Sequence, residues 1–414
     1  MSTLTALLRR PVRLSDPVNL ALIVIVIYVA FLIGAAISGH WPVDQNGHPI
    51  LIDYLSMWAA GRLALVGHAA AAYDWAAHKA IEVGAVGHDF DGYFSWFYPP
   101  TFFFATAPFA ALPFVPALLA WIAAGLTLFL LSIRTVLPRR GSVVLAAAAP
   151  VVLWNATAGQ NGYLSAAIIA GALALIDRRP IVAGALIACL TFKPQFGLLV
   201  PVALVAGGCW RAFLSAAVAT ALLAAVSVAV FGADAWAGFV SSIDVAYKTV
   251  LVDTDVGAAK LQSMFGVLRV LGGGTGAAWA AQMTVAVPVV AFIAWLWRSS
   301  APIDLKAAAL AAGTALVTPY VFIYDLVILV VPVAFLARSG LSTGEAIAAA
   351  AAALLLLSSP ITSVPVGLAA SLVVAGIVLA RIVRFSRAAK DAAQAPATVE
   401  TTEAREATSS TTVA

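Results

Sequence analysis

The stretch Val18–Ser38 reads VNLALIVIVIYVAFLIGAAIS and carries no charged side chain. It is an apolar run of about 20 residues, and at 1.5 Å per residue such a helix crosses a hydrocarbon core roughly 30 Å thick. Arg9, Arg10 and Arg13 precede it, as basic residues precede the core of a signal peptide. The run is longer than a signal core, however, and no small-residue cleavage site follows. We therefore read it as a retained first membrane helix, led by a cytoplasmic segment over residues 1–17.

Composition extends that reading to the whole chain. Of 414 residues, 63% are hydrophobic and 10% charged, and the mean hydropathy is +1.00. Soluble domains carry about 25% charged residues, so the solvent for this chain must be lipid. The apolar runs are continuous and rich in Ala, Leu and Val, without strand-like alternation. The class is an all-α polytopic membrane protein rather than a barrel. The net charge of +4 comes from basic residues placed singly or in pairs between apolar runs, so no nucleic-acid surface is indicated. Cys189 and Cys209 lie in or at the end of apolar segments and read as small core side chains, with no disulfide framework or zinc spacing.

Twelve apolar segments can be read, near 18–38, 102–134, 142–157, 162–177, 180–192, 195–208, 211–231, 277–297, 305–318, 323–337, 344–359 and 365–384. Pro108, Pro113 and Pro116 interrupt the second, which reads as a short interfacial helix followed by one span. Residues 180–192 and 195–208 are each too short to cross and suggest a partly inserted hairpin. The expectation is 10–12 membrane helices within a domain over 18–385, followed by a disordered cytoplasmic tail over 386–414 that is rich in Ala, Thr, Ser and Glu. Alternation from a cytoplasmic N-terminus divides the 23 Lys and Arg residues 17 to 6 in favour of the cytoplasm. That is the positive-inside bias. The long connections, 39–100 and 232–276, and the turns AGQNG, FKPQ and TPYVFIYD then share the outer face. Function concentrates in loops on a rigid scaffold, so a site is expected on that face.

Several outer-face residues invite chemistry. Asp53 reads either as a carboxylate base near apolar walls or as the N-cap of the helix that follows. Arg62 lies two and a half turns on, roughly on the opposite helix face from Asp53. Tyr98, in SWFYPPTFFF, could stack on a sugar or lipid head, although a headgroup-level aromatic belt also explains the segment. Gln160 and Asn161 offer amides at a compact turn, which suits hydroxyl-rich ligands. Lys193 is the only basic residue between Ile181 and Trp210, and either snorkels to water or holds an anionic headgroup phosphate. Residues Phe231–Gly274 are amphipathic and are expected on the membrane interface, with Lys248, Lys260 and Arg269 as solvated or anion-steering charges. Tyr320, Tyr324 and Asp325 sit at the mouth of two late helices, where an acid is expensive unless paired or hydrated.

Taken in order, DYLSMWAAGRLALVGHAAAAYD, FYPP, GQNGYL, FKPQ, KLQSMFGVLR and TPYVFIYDL resemble the family-87 glycosyltransferases, the polyprenyl-phosphate-mannose-dependent α-1,2-mannosyltransferase type of bacterial envelopes. The resemblance spans roughly residues 15–385. It implies a GT-C fold in the bacterial inner (plasma) membrane, with the active site facing the periplasm. It also implies a polyprenyl-phosphate sugar donor and a glycolipid or glycan acceptor. By the same resemblance Asp53 is the catalytic base, and Arg62, Tyr73, Asp74, Tyr98, Gln160, Asn161, Lys193 and Gln262 bind donor or acceptor. Some relatives carry a histidine where this chain has Tyr324–Asp325, so a late-helix histidine has no counterpart here. One base and direct displacement imply inversion, and no cofactor or metal is expected, although Asp89–Asp91 and Asp253–Asp255 have the spacing of an acidic metal pair. The competing expectations are a secondary transporter or lipid flippase, and an oligosaccharide ligase.

Overall fold

The computed structural model of the protein describes residues 16–253 and 257–394. Among them, β-structure is confined to the isolated bridges His40–Asp44 and Val43–Pro49. In chain order the helices are α1 (Pro17–Ile37), α2 (Tyr54–Leu65), α3 (Trp75–Val86), α4 (Phe103–Ala110), α5 (Phe114–Val136), α6 (Ser142–Ala147) and α7 (Pro150–Ala158). They continue as α8 (Gly162–Leu175), α9 (Pro180–Ala188), α10 (Pro194–Gly197), α11 (Leu199–Ala206), α12 (Trp210–Phe231) and α13 (Ala233–Tyr247). The last are α14 (Met264–Val270), α15 (Thr275–Arg298), α16 (Ile303–Val317), α17 (Val330–Ala337), α18 (Thr343–Leu357) and α19 (Val366–Gln394).

Among the described residues five helices are long and apolar enough to cross a membrane, namely α1, α5, α12, α15 and α19. Together with shorter apolar helices they make this a multi-pass membrane protein. The stretch that opens the chain behaves as its composition dictates. Pro17 and the Asp16 carboxylate, which accepts from the Val18 amide at 2.9 Å, start α1. Its Val26, Ile27 and Ile37 then point outward, since a self-bonded helix presents aliphatic side chains to lipid at no cost. At the opposite extreme, α16 is buried from Ala307 to Val317. Its Ala-rich sequence lets α15, α17 and α19 pack closely around it, because small residues allow backbones to approach in an apolar solvent.

Several sequence boundaries need correction. Residues 142–157 form two short helices, α6 and α7, because Pro150 lacks the amide that would continue the ladder and instead opens α7. Residues 323–337 begin as a 3₁₀ turn over Ile323–Leu329 before α17. The segments 180–192 and 195–208 meet at the Lys193 turn and both pack on α12; α9 also packs on α8, and α11 on α15 and α16. The last helix continues past residue 385 to Gln394, so the first part of the expected tail is helical. Most of the N-terminal segment, the tail beyond Gln394 and Asp255 lie outside the described residues.

Residues at one end of the helix bundle form a polar lock. Glu345 accepts from Arg381 and Arg384 and caps α18 through the Ser342 amide. Arg338 pairs with Asp304 at 2.7 Å, and Arg139 donates to the Arg338 carbonyl. At the other end, the 39–100 region and α13 build a cap: α2 packs on α4, and Gly238 of α13 lies against the Tyr73 ring.

Candidate active site

A cavity of about 340 Å³ opens under the cap, walled by residues from seven separate stretches of chain between Asp53 and Asp325. Asp53 lies on its wall. It occupies the N-cap position of α2, yet its backbone is already helical and its side chain makes no capping bond. Gln160 Nε2 donates to Asp53 Oδ2 at 3.3 Å instead, and the Tyr324 hydroxyl lies beside the same carboxylate.

The local sequence explains how Gln160 gets there. Gly159 ends α7 with a left-handed backbone (φ 65°), and a Cβ there would come within 2.6 Å of Tyr54 and 2.7 Å of Leu118. Only a glycine lets this turn reach the start of α2. Asn155 then staples it, donating to the Gln160 carbonyl at 3.0 Å and accepting from the Gly162 amide at 2.8 Å. The Gln160 side-chain carbonyl takes the Asn161 amide at 3.2 Å and the Tyr98 hydroxyl at 3.4 Å, which leaves its NH₂ for Asp53. Asn161 Nδ2 reaches the Tyr98 hydroxyl at 2.9 Å.

Gly162 is as constrained as Gly159. A Cβ there would collide with the Tyr324 carbonyl and come within 2.6 Å of Asn155 Oδ1. Gly162→Ala is therefore expected to separate the Gln160 turn from the Tyr324 segment. It should cost about 1–3 kcal/mol in thermal unfolding in detergent and weaken activity with it. An Ala variant with unchanged melting and turnover would disprove this close contact.

Lys193 and Asp325 form a buried ion pair on the cavity wall. Asp325 also accepts from the Phe322 amide at 3.1 Å, and Lys193 Nζ lies 5.5 Å from the centre of the Tyr324 ring. The second cation on the wall, Lys260, has no carboxylate within ion-pairing distance among the described residues. Burial pushes the Asp53 carboxyl above the usual carboxylate range. The Gln160 hydrogen bond, the Lys260 charge and the Tyr324 hydroxyl work against that shift without cancelling it. Burial likewise raises the Tyr98 phenol, which stays a hydrogen-bond donor at neutral pH. Tyr93, Phe94, Phe97, Tyr320 and Phe322 supply flat aromatic walls. A hydroxyl entering this cavity meets a carboxylate base, amide and phenol groups, and the Lys260 ammonium.

Of the residues singled out from sequence, Asp53, Tyr98, Gln160, Lys193, Tyr324 and Asp325 share this cavity. Asn161 stands directly behind it. Four others have different partners. Arg62 donates to the Ala110 carbonyl at 3.3 Å and sits 5.7 Å over the Trp58 ring, facing away from Asp53. Tyr73 donates to the Tyr98 carbonyl at 2.7 Å, and Asp74 caps α3 through the Ala77 amide at 2.8 Å. Gln262 accepts from the Gly367 amide at 2.7 Å and donates to Ala259, fastening the segment that carries Lys260.

Sequence reading passed over Asn155, lost in an apolar run, and Glu82, which holds the Phe94 amide at 3.1 Å and so hangs the aromatic wall. It also left Lys260 as one surface charge among three. Gln195 on the same wall had a usable signal, since it is two residues from Lys193 in FKPQ.

The profile of glycosyltransferase family 87 matches residues 96–319, more than half of the chain. No curated protein and no solved structure matches it. The matched region contains Tyr98, Gln160, Lys193 and Lys260, while Asp53 and the Tyr324–Asp325 pair lie outside it. With a match of that extent on a polytopic helical fold, the chain belongs to glycosyltransferase family 87, a family of GT-C type membrane glycosyltransferases.

Proposed function

We propose that this glycosyltransferase moves a sugar, mannose, from a polyprenyl monophosphate to an envelope glycolipid or glycan, with inversion, at the outer face of the bacterial plasma membrane. The observation that carries the reading is the Asp53 carboxylate, turned from its helix into a cavity and oriented by Gln160. A sugar hydroxyl is a poor nucleophile. Asp53 accepts its proton as the oxygen attacks the anomeric carbon from the face opposite the phosphate. The departing lipid phosphate gains charge, which the Lys260 ammonium is suited to stabilise. An apolar groove of about 190 Å³ between α4, α5 and α8 shares Gln160 with the cavity and suits an isoprenoid tail. The test is transfer by the purified protein in nanodiscs, from polyprenyl-phosphate mannose to glycolipid acceptors. Vesicle uptake without transfer would favour a transporter instead.

The base role fixes the sign of the pH dependence. Asp53 must be ionised to act, and burial holds its pKa above the ordinary value, so activity should rise with pH along an acid limb above about pH 4. Lys260→Met removes a charge that favours the ionised form. It should move that limb to still higher pH and raise the donor KM, both effects shrinking in high salt because Lys260 is exposed. A limb that stays put in the variant, measured as kcat/KM against pH, would separate Lys260 from Asp53.

A further inference from the structure

Beside the main cavity lies a second, smaller pocket of about 90 Å³ between the Tyr73 turn, the Tyr93–Phe97 segment and α13. Tyr93 and Phe97 line both spaces. We infer that this pocket is a saccharide subsite that holds the second sugar of the acceptor while the first lies at Asp53. The inference rests on the glycosyl-transfer reading and adds to it that the acceptor carries at least two sugars.

Four observations point to a neutral sugar. Trp75 stacks on Tyr93 with ring centres 5.3 Å apart and is 63% exposed, a wide apolar plate left open at a polar mouth. Such a face suits the C–H side of a pyranose. The hydroxyls of Ser241 and Ser242 spend their protons on the carbonyls of Gly238 and Phe239, which leaves their oxygens as acceptors. Asp74 uses Oδ1 to cap α3 and has its second oxygen free to accept a hydroxyl. No Lys or Arg lines the pocket, so a phosphate or an anionic headgroup finds no counter-charge there.

The test compares octyl α-mannoside with octyl α-mannobioside as acceptors for the purified protein and polyprenyl-phosphate mannose. Wild type should prefer the two-sugar probe by about tenfold in kcat/KM, mainly through KM. Trp75→Ala should bring the ratio near one, and Trp75→Phe should restore most of it. A ratio is insensitive to partial unfolding, which lowers both rates together. Equal use of the two probes by wild type, or a ratio unchanged in Trp75→Ala, overturns the subsite while leaving sugar transfer standing. Saturation-transfer NMR separates the two claims if no transfer occurs. Contact to the octyl-linked ring that disappears in Trp75→Ala supports the pocket, and absence of such contact in wild type rules it out.

Discussion

With Asp53 replaced by Asn, sugar transfer is expected to fall by about 10³-fold, within the range that loss of a general base produces. The change is nearly isosteric. Asn keeps an oxygen for the Gln160 amide and leaves the start of α2 undisturbed, because the Asp53 side chain makes no capping bond there. Folding should survive, and donor binding should change little, so the loss should appear in kcat. Asp53→Glu tests geometry separately. Its longer side chain keeps the charge but moves the carboxylate relative to Gln160, and an intermediate rate is expected. Turnover with radiolabelled donor in nanodiscs, with donor affinity measured alongside, decides the matter. An Asn variant that turns over at the wild-type rate would remove Asp53 from the chemistry.

The acid limb gives the same residue a second, independent check. A base with a raised pKa titrates where an ordinary exposed carboxylate is already ionised, and the Asn variant should lose that limb together with the rate. If the limb persists at a reduced rate in Asp53→Asn, another group controls it.

The membrane class was legible because lipid imposes one rule, a long apolar run, and Val18–Ser38 obeys it without a single charged side chain. Hydropathy could not tell a spanning helix from two half-helices, since Ser142–Ala158 is apolar on both sides of the break and only Pro150 marks it. The site was partly legible for the same kind of reason. Alternation across a bilayer brings residues as distant as Asp53, Gln160 and Tyr324 to one face, whatever the tertiary detail. What alternation cannot supply is direction. Arg62 is on the right segment but points at the Ala110 carbonyl, and Gln262 is spent on the backbone of Gly367. Lys260 opens the KLQSMFGVLR motif, but that motif does not say where its ammonium lies. It joins the cavity through a loop fastened by Gln262 and by the Val321 carbonyl, which accepts the Gln262 amide at 2.8 Å.

Lys193 is where sequence left two readings and the structure adds a third. A lysine that snorkels would reach water, and one that holds a phosphate would be unpaired before the donor arrives. Here it is buried against Asp325. Breaking a buried pair from one side leaves an uncompensated charge, so Lys193→Met is expected to cost about 3–5 kcal/mol of stability. Adding Asp325→Asn removes that charge and keeps an acceptor for the Phe322 amide, so most of the lost stability should return in the double variant. Thermal unfolding of the two variants in detergent measures the coupling. A single variant as stable as wild type would mean that the pair contributes nothing to the fold. Activity of the double variant then distinguishes the roles. If Lys193 acts through the fold, the restored protein transfers sugar. If it holds the phosphate, the protein folds and stays inactive, and Lys260 loses its place as the principal cation. The pairing favours the first outcome, because donor phosphate would have to compete with a carboxylate already in contact with the ammonium, in a setting where separating them is expensive.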